Sequence, residues 1–73
     1  MSNYRRFRFV KPLSVNEGSF RVNDEITILD NRIYFNGGMV MPTYHSLLRE
    51  LVEYELETGF KYLREVPIPY NKV

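Results

Sequence analysis

The stretch from Thr43 to Gly59 constrains this chain more than any other, because only there does an apolar pattern run at helical spacing. Tyr44, Leu47, Leu48, Leu51, Val52 and Leu56 recur every three or four residues, which gathers them on one face. A helix that short is marginal in water by itself, so its apolar face must lie on something apolar. Thr43 is the expected N-cap behind Pro42, and Gly59 the expected terminator, giving a predicted helix over about 43–58.

The partner for that face has to come from strands. Tyr4 to Lys11 alternates Phe7 and Phe9 with Arg6 and Arg8, the two-residue period of a strand with one buried side. Pro12 ends it. Asn16-Glu-Gly-Ser19 reads as a turn, and Phe20 to Val22 as a short strand. Glu25–Leu29 and Arg32–Asn36 flank Asp30-Asn31, a two-residue hairpin signal that sets Ile26 and Ile28 beside Ile33 and Phe35. Asn36-Gly37-Gly38 turns again, and Met39 to Met41 leads into the helix. After Gly59, Phe60 to Val66 is the last predicted strand, with Phe60, Tyr62 and Val66 on one side. The expected architecture is α+β: a small, strongly bent antiparallel sheet or partly open barrel of about five short strands, with one amphipathic helix before the last.

This order of elements resembles that of SH3-like barrels, in which a short helical turn precedes the fifth strand. Here the turn would be enlarged to a full helix. The resemblance is one of order alone, because that family's acidic and aromatic ligand-binding motifs have no match in this chain, and fold order carries no function.

Seventy-three residues support one domain, 1–73, with a short N-terminal tail (1–3) and an extended, proline-containing C-terminal tail (67–73). A chain of this size buries only roughly 60% of its unfolded surface, so burial must be concentrated in its Phe and Tyr residues. With no cysteine and one histidine, disulfides and Cys/His zinc sites are excluded. The net charge of +1 gives no bulk field towards nucleic acid or membrane, and no run reaches the length of a membrane span. The expected location is the cytoplasm or the interior of an assembly such as a virion.

Nothing in the chain forms a catalytic, metal or cofactor signature. His45 and Ser46 are adjacent on the helix and point about 100° apart, which is unlike a nucleophile and its base. Asn36-Gly37-Gly38 lacks the length and lysine of a phosphate loop. Glu50, Glu53 and Glu57 line the polar face, with Glu55 off to one side; a solvated face explains them more simply than a cation site. Glu53, Glu55 and Glu57 crowd the C-terminal half, which is unusual, since the helix dipole disfavours negative charge there. The basic first strand complements these acids, either within one chain or between copies.

The function read from the sequence is a non-enzymatic protein–protein interaction module: a small accessory, assembly or inhibitory subunit of the size and composition of many viral accessory proteins. Its partner would be a larger protein or a second copy. The contact residues expected from interface preferences are Tyr4, Arg6, Arg8, Glu50, Glu53, Glu57 and Tyr70. The alternative is a small β-barrel that binds single-stranded nucleic acid through Arg5, Arg6, Arg8 and Lys11, with Tyr4, Phe7 and Phe9 as stacking faces. Burial of Phe7 and Phe9 decides between them.

Overall fold

The computed structural model describes residues 4–67. Along the chain run β1 (Tyr4–Phe9), β2 (Leu13–Val15), β3 (Gly18–Phe20), β4 (Glu25–Leu29), β5 (Arg32–Phe35), β6 (Gly38–Met39), α1 (Pro42–Thr58) and β7 (Leu63–Val66). Five strands form one antiparallel sheet in the order β6-β5-β4-β1-β7, and β2-β3 is a separate hairpin. The fold is the expected α+β arrangement with one helix before the last strand. The sheet does not close into a barrel: β6 and β7 are both edges.

Those two edges explain why the turn before the last strand has become a full helix. Chain leaving β6 must cross the whole sheet to enter β7. Five strands span about 19 Å at the usual strand spacing, and 17 helical residues cover about 25 Å. The helix is the crossover, and crossing lays its apolar side on the sheet.

The alternation in β1 holds. Phe7 and Phe9 are fully buried with Ile26, Ile33, Leu48, Val52 and Leu63, and Phe20 joins them from the hairpin. Ile28, Phe35, Tyr44, Leu47, Leu51 and Tyr62 pack around this cluster half-buried. Aromatic geometry organises one end of the core. Phe9 and Phe20 stack at 4.7 Å with an interplanar angle of 8°, and Phe35 meets Tyr44 edge-on at 6.1 Å.

Two-residue links set the hairpins. Leu29 pairs with Arg32 around Asp30-Asn31, and Asp30 takes φ 57°. Phe35 pairs with Gly38 around Asn36-Gly37, where positive φ at both residues suits the twist of the flanking strands. Asn36 is held further: its N–H donates to the Glu25 carbonyl, and its Oδ1 accepts the Glu25 N–H, each at 2.8 Å. The glycine turn is fully employed in joining β4, β5 and β6.

Several expectations are corrected. The segment read as turn and short strand, 16–22, is instead a hairpin over Leu13–Val15 and Gly18–Phe20, turning on Asn16-Glu17. Thr43 is not the N-cap: the helix begins at Pro42 with Met41 as cap and no side-chain cap bond. Proline at the first helical position needs no N–H partner, so the helix starts one residue earlier. Leu56, assigned to the buried face, is 43% exposed, and Glu55 is buried in its stead. The last strand begins at Leu63, not Phe60; Phe60 is 43% exposed and rests against Phe7 at 6.1 Å. The tails 1–3 and 68–73, with Tyr70, lie outside the described residues.

Candidate interaction surface

Strand register sorts the side chains onto two faces. β1 pairs with β4 and β7 so that Phe7 and Phe9 meet Ile26, Glu65 and Leu63 on the helix side. Arg6 and Arg8 therefore point the other way, beside Glu25 and Thr27 of β4 and Arg64 and Val66 of β7. β5 adds Arg32 and Tyr34 to that second face, and Tyr4 and Leu29 complete it. No described element covers it. Four arginines share it with a single glutamate.

Glu25 holds two of those arginines. Its Oε1 accepts from Arg6 at 2.8 Å, and its Oε2 accepts from Arg8 at 2.9 Å. Arg64 stands directly opposite Arg8 in the β1–β7 register and has no ion-pair partner among the described residues. Like charges directly opposite on neighbouring strands are destabilising. Beside this pair lies a groove of about 430 Å³, where Arg8 and Arg64 are joined by Val10, Val22 and Val66. Val10 and Val22 are 38% and 49% exposed. A second, more polar groove of about 590 Å³ shares Val10 and Arg64 and adds Lys11, Lys61, Tyr54 and Phe60. Arg64 and Val10 thus border both grooves, and Glu65 lines the first beside them.

Arg5, grouped with the other cations by sequence, sits apart. Register turns it to the helix side, where its guanidinium makes two bonds to Glu65 at 2.8 and 2.9 Å and lies 5.3 Å from the Phe7 ring centre. The basic cluster of the first strand is therefore divided between two faces. Phe7 and Phe9 are in the core, so they present no face to a base. The stacking platform of the nucleic-acid reading is absent, and Tyr4 is the one aromatic of that set left on the surface.

The two paired glutamates respond to their arginines. Bonds from Arg6 and then Arg8 hold the Glu25 carboxyl below the usual carboxylate range, and the bonds from Arg5 do the same for Glu65. A depressed folded-state value contributes stability that is present above the unfolded value, about 4.3, and is lost as pH falls through the folded value. The Arg5–Glu65 pair is well exposed to solvent, so its contribution is about 0.2–1 kcal/mol. Glu65→Gln is expected to melt below the parent at pH 6, with the gap closing as pH drops below 4. Thermal melts across pH check this, and a gap that persists unchanged to pH 2.5 would refute it.

On the opposite side of the molecule, Glu50, Glu53 and Glu57 are exposed along the outer line of α1, with no ion-pair partner among the described residues. Glu55 is different in kind. It is 1% exposed, and its Oε1 accepts the backbone N–H groups of Lys61, Tyr62 and Leu63 at 2.9, 2.9 and 3.0 Å. It fastens the loop after the helix to the start of β7. His45 and Ser46 share no hydrogen bond among the described residues. No group of three or more His, Asp or Glu among those residues is placed to hold a metal ion. No helix of the described chain is long and apolar enough to cross a membrane.

Of the contact residues expected from sequence, Tyr4, Arg6 and Arg8 share the open sheet face, and Glu50, Glu53 and Glu57 share the far side of the helix. Sequence reasoning missed Val10, Val22, Glu25 and Arg64. Arg64 was hidden by carrying one parity from Phe60 to Val66: Tyr62, ahead of the strand, does pack on the core, but within β7 the parity of Arg64 and Val66 faces outward. Comparison with protein-family profiles, with curated proteins and with solved structures returned no match.

Proposed function

We propose that this chain is a non-enzymatic protein-binding module whose open sheet face receives an acidic segment with apolar side chains. The observation that carries the reading is the Arg8–Arg64 pair, like charges across two strands beside a valine-lined groove. Arg8 is already bonded to Glu25, but Arg64 has no ion-pair partner among the described residues, so an acidic side chain laid along the valines gains a charge-assisted bond there. Arginine beside apolar surface is also the composition of interface centres. Phosphate backbone is a poorer fit, because Arg6 and Arg8 are already bonded to Glu25 and the phenylalanines between them are buried.

Selection from a displayed random-peptide library on the immobilised domain tests the reading. The expected peptides carry Asp or Glu among apolar residues and bind Arg64→Ala about tenfold more weakly, which corresponds to about 1.4 kcal/mol. Peptides without acids, or indifferent to Arg64, would overturn it. Salt-sensitive binding of oligothymidine in the same assay would favour nucleic acid instead.

A further inference from the structure

We infer that the acidic segment received by this face is the helix of a second copy of the chain, so that copies associate head to tail. The inference rests on the reading of the sheet face given above and names its occupant. Its basis is the placement of two complementary surfaces on opposite sides of one two-layer domain. Arg6, Arg8, Arg32 and Arg64 lie on the sheet face turned away from α1. Glu50, Glu53 and Glu57 lie on the face of α1 turned away from the sheet, since Leu48, Val52 and Glu55 are the buried side of that helix. The core separates the two sets, so they cannot neutralise each other within a chain. Between chains they can.

Each surface also carries charge without an ion-pair partner among the described residues: Arg64 on the sheet face, and Glu50, Glu53 and Glu57 on the helix. Arg8 faces Arg64 across the β1–β7 ladder. On the helix, Glu50 to Glu53 and Glu53 to Glu57 are like charges at three- and four-residue spacing, and Glu57 stands in the last turn, where the dipole resists it. Glu50 to Glu57 spans about 10 Å along the helix axis. Arg6 and Arg8 are about 7 Å apart along β1, with Arg64 about 5 Å across, so the cationic patch matches the acidic line in scale. Exposed apolar groups accompany both: Leu56 on the helix, and Val10 and Val22 beside the arginines. Because the two surfaces differ, the contact is heterologous, which gives closed rings or open chains according to the rotation between copies.

Sedimentation over a wide concentration range, at about 20 mM and about 500 mM salt, tests this, because the Debye length shortens from roughly 20 Å to about 4 Å. The expected result is a mean mass that climbs with concentration at low salt and returns to the monomer at high salt. Arg64→Glu reverses a solvent-exposed charge and Glu53→Lys/Glu57→Lys suits the helix dipole, so both variants are expected to stay folded while needing at least tenfold more protein to associate. An equimolar mixture of the two is expected to associate again. A parent protein that stays monomeric at low salt up to millimolar concentration overturns the inference, as do variants that associate like the parent. If the parent is monomeric while displayed peptides still require Arg64, the self-association fails and the protein-binding reading stands. If the parent associates only on addition of oligothymidine, both fail.

Discussion

Glu55→Leu is expected to be strongly destabilising, by about 3 kcal/mol or more. The carboxylate is enclosed between α1 and the start of β7, and one oxygen serves three backbone donors in succession. A buried charge can often be replaced by an apolar side chain of similar volume when its partners are removed with it. Here the partners are main-chain N–H groups of Lys61, Tyr62 and Leu63, which no substitution at 55 removes. The Leu63 donor is buried and those of Lys61 and Tyr62 partly so. A buried donor left unpaired costs about 1–3 kcal/mol, and the three together a large share of the about 4–11 kcal/mol available to a chain this size. Glu55→Gln keeps an oxygen in place but loses the charge that strengthens the bonds, and is expected to cost about 1–2 kcal/mol, roughly 5–15 °C in Tm. Circular-dichroism melts of both variants measure this. A leucine variant that melts with the parent would show that the loop finds other acceptors and would remove Glu55 from the account of how β7 is placed.

The second large effect is expected at Phe20. A lone two-stranded hairpin is barely stable in water, so β2-β3 depends on being anchored. Phe20 is the anchor: its ring stacks on Phe9, meets Phe35 at 5.7 Å and lies 6.0 Å from Tyr44. Just beyond it, the N–H of Asn23 donates to the Phe9 carbonyl, and the N–H of Phe9 donates to the Asp24 carbonyl, so the segment is tied to the end of β1. Phe20→Ala removes the ring and opens the core at that end, at a cost of about 3–5 kcal/mol. The loss is expected to be local first. Amide protection should vanish over Leu13–Phe20 while β1, β4 and β5 exchange far more slowly. Hydrogen exchange resolved by NMR reads this directly, and a variant that keeps parent-like protection in the hairpin would contradict the anchoring role. Because Val22 lines the basic groove, the same variant is expected to weaken binding on that face as well.

Both residues show where sequence reading succeeds and where it stops. The alternation Phe7-Arg8-Phe9 admits one arrangement when one face must be dry, so the buried pair and the outward arginines follow from the period alone. The Asp30-Asn31 and Asn36-Gly37 links are equally legible, because two-residue hairpin turns demand residues that accept positive φ. Phe20 was recognisable as strand, but its hairpin was not: Asn16 to Ser19 is rich in turn formers, and only pairing with Leu13 and Val15 draws Gly18 and Ser19 into a strand. The final strand failed for a different reason. Phe60, Tyr62 and Val66 offer one apolar parity and Leu63 the other, and local pattern has no means of choosing. Glu55 chooses, by holding the three N–H groups that precede and open β7, which buries Leu63 and turns Arg64 outward.

What the sequence determined by itself is thus the α+β class, the single helix before the last strand, the buried face of β1 and the split between basic strand and acidic helix. These rest on periodicity and turn chemistry, which act over a few residues. What only the tertiary structure decided is that the helix crosses from one sheet edge to the other and that a helix glutamate sits in the core. It also decided that Arg8 and Arg64 stand side by side on a face pointing away from the acids. Each of these depends on which distant segments become neighbours, and for charges on opposite sides of a packed core, no spacing along the chain reveals it.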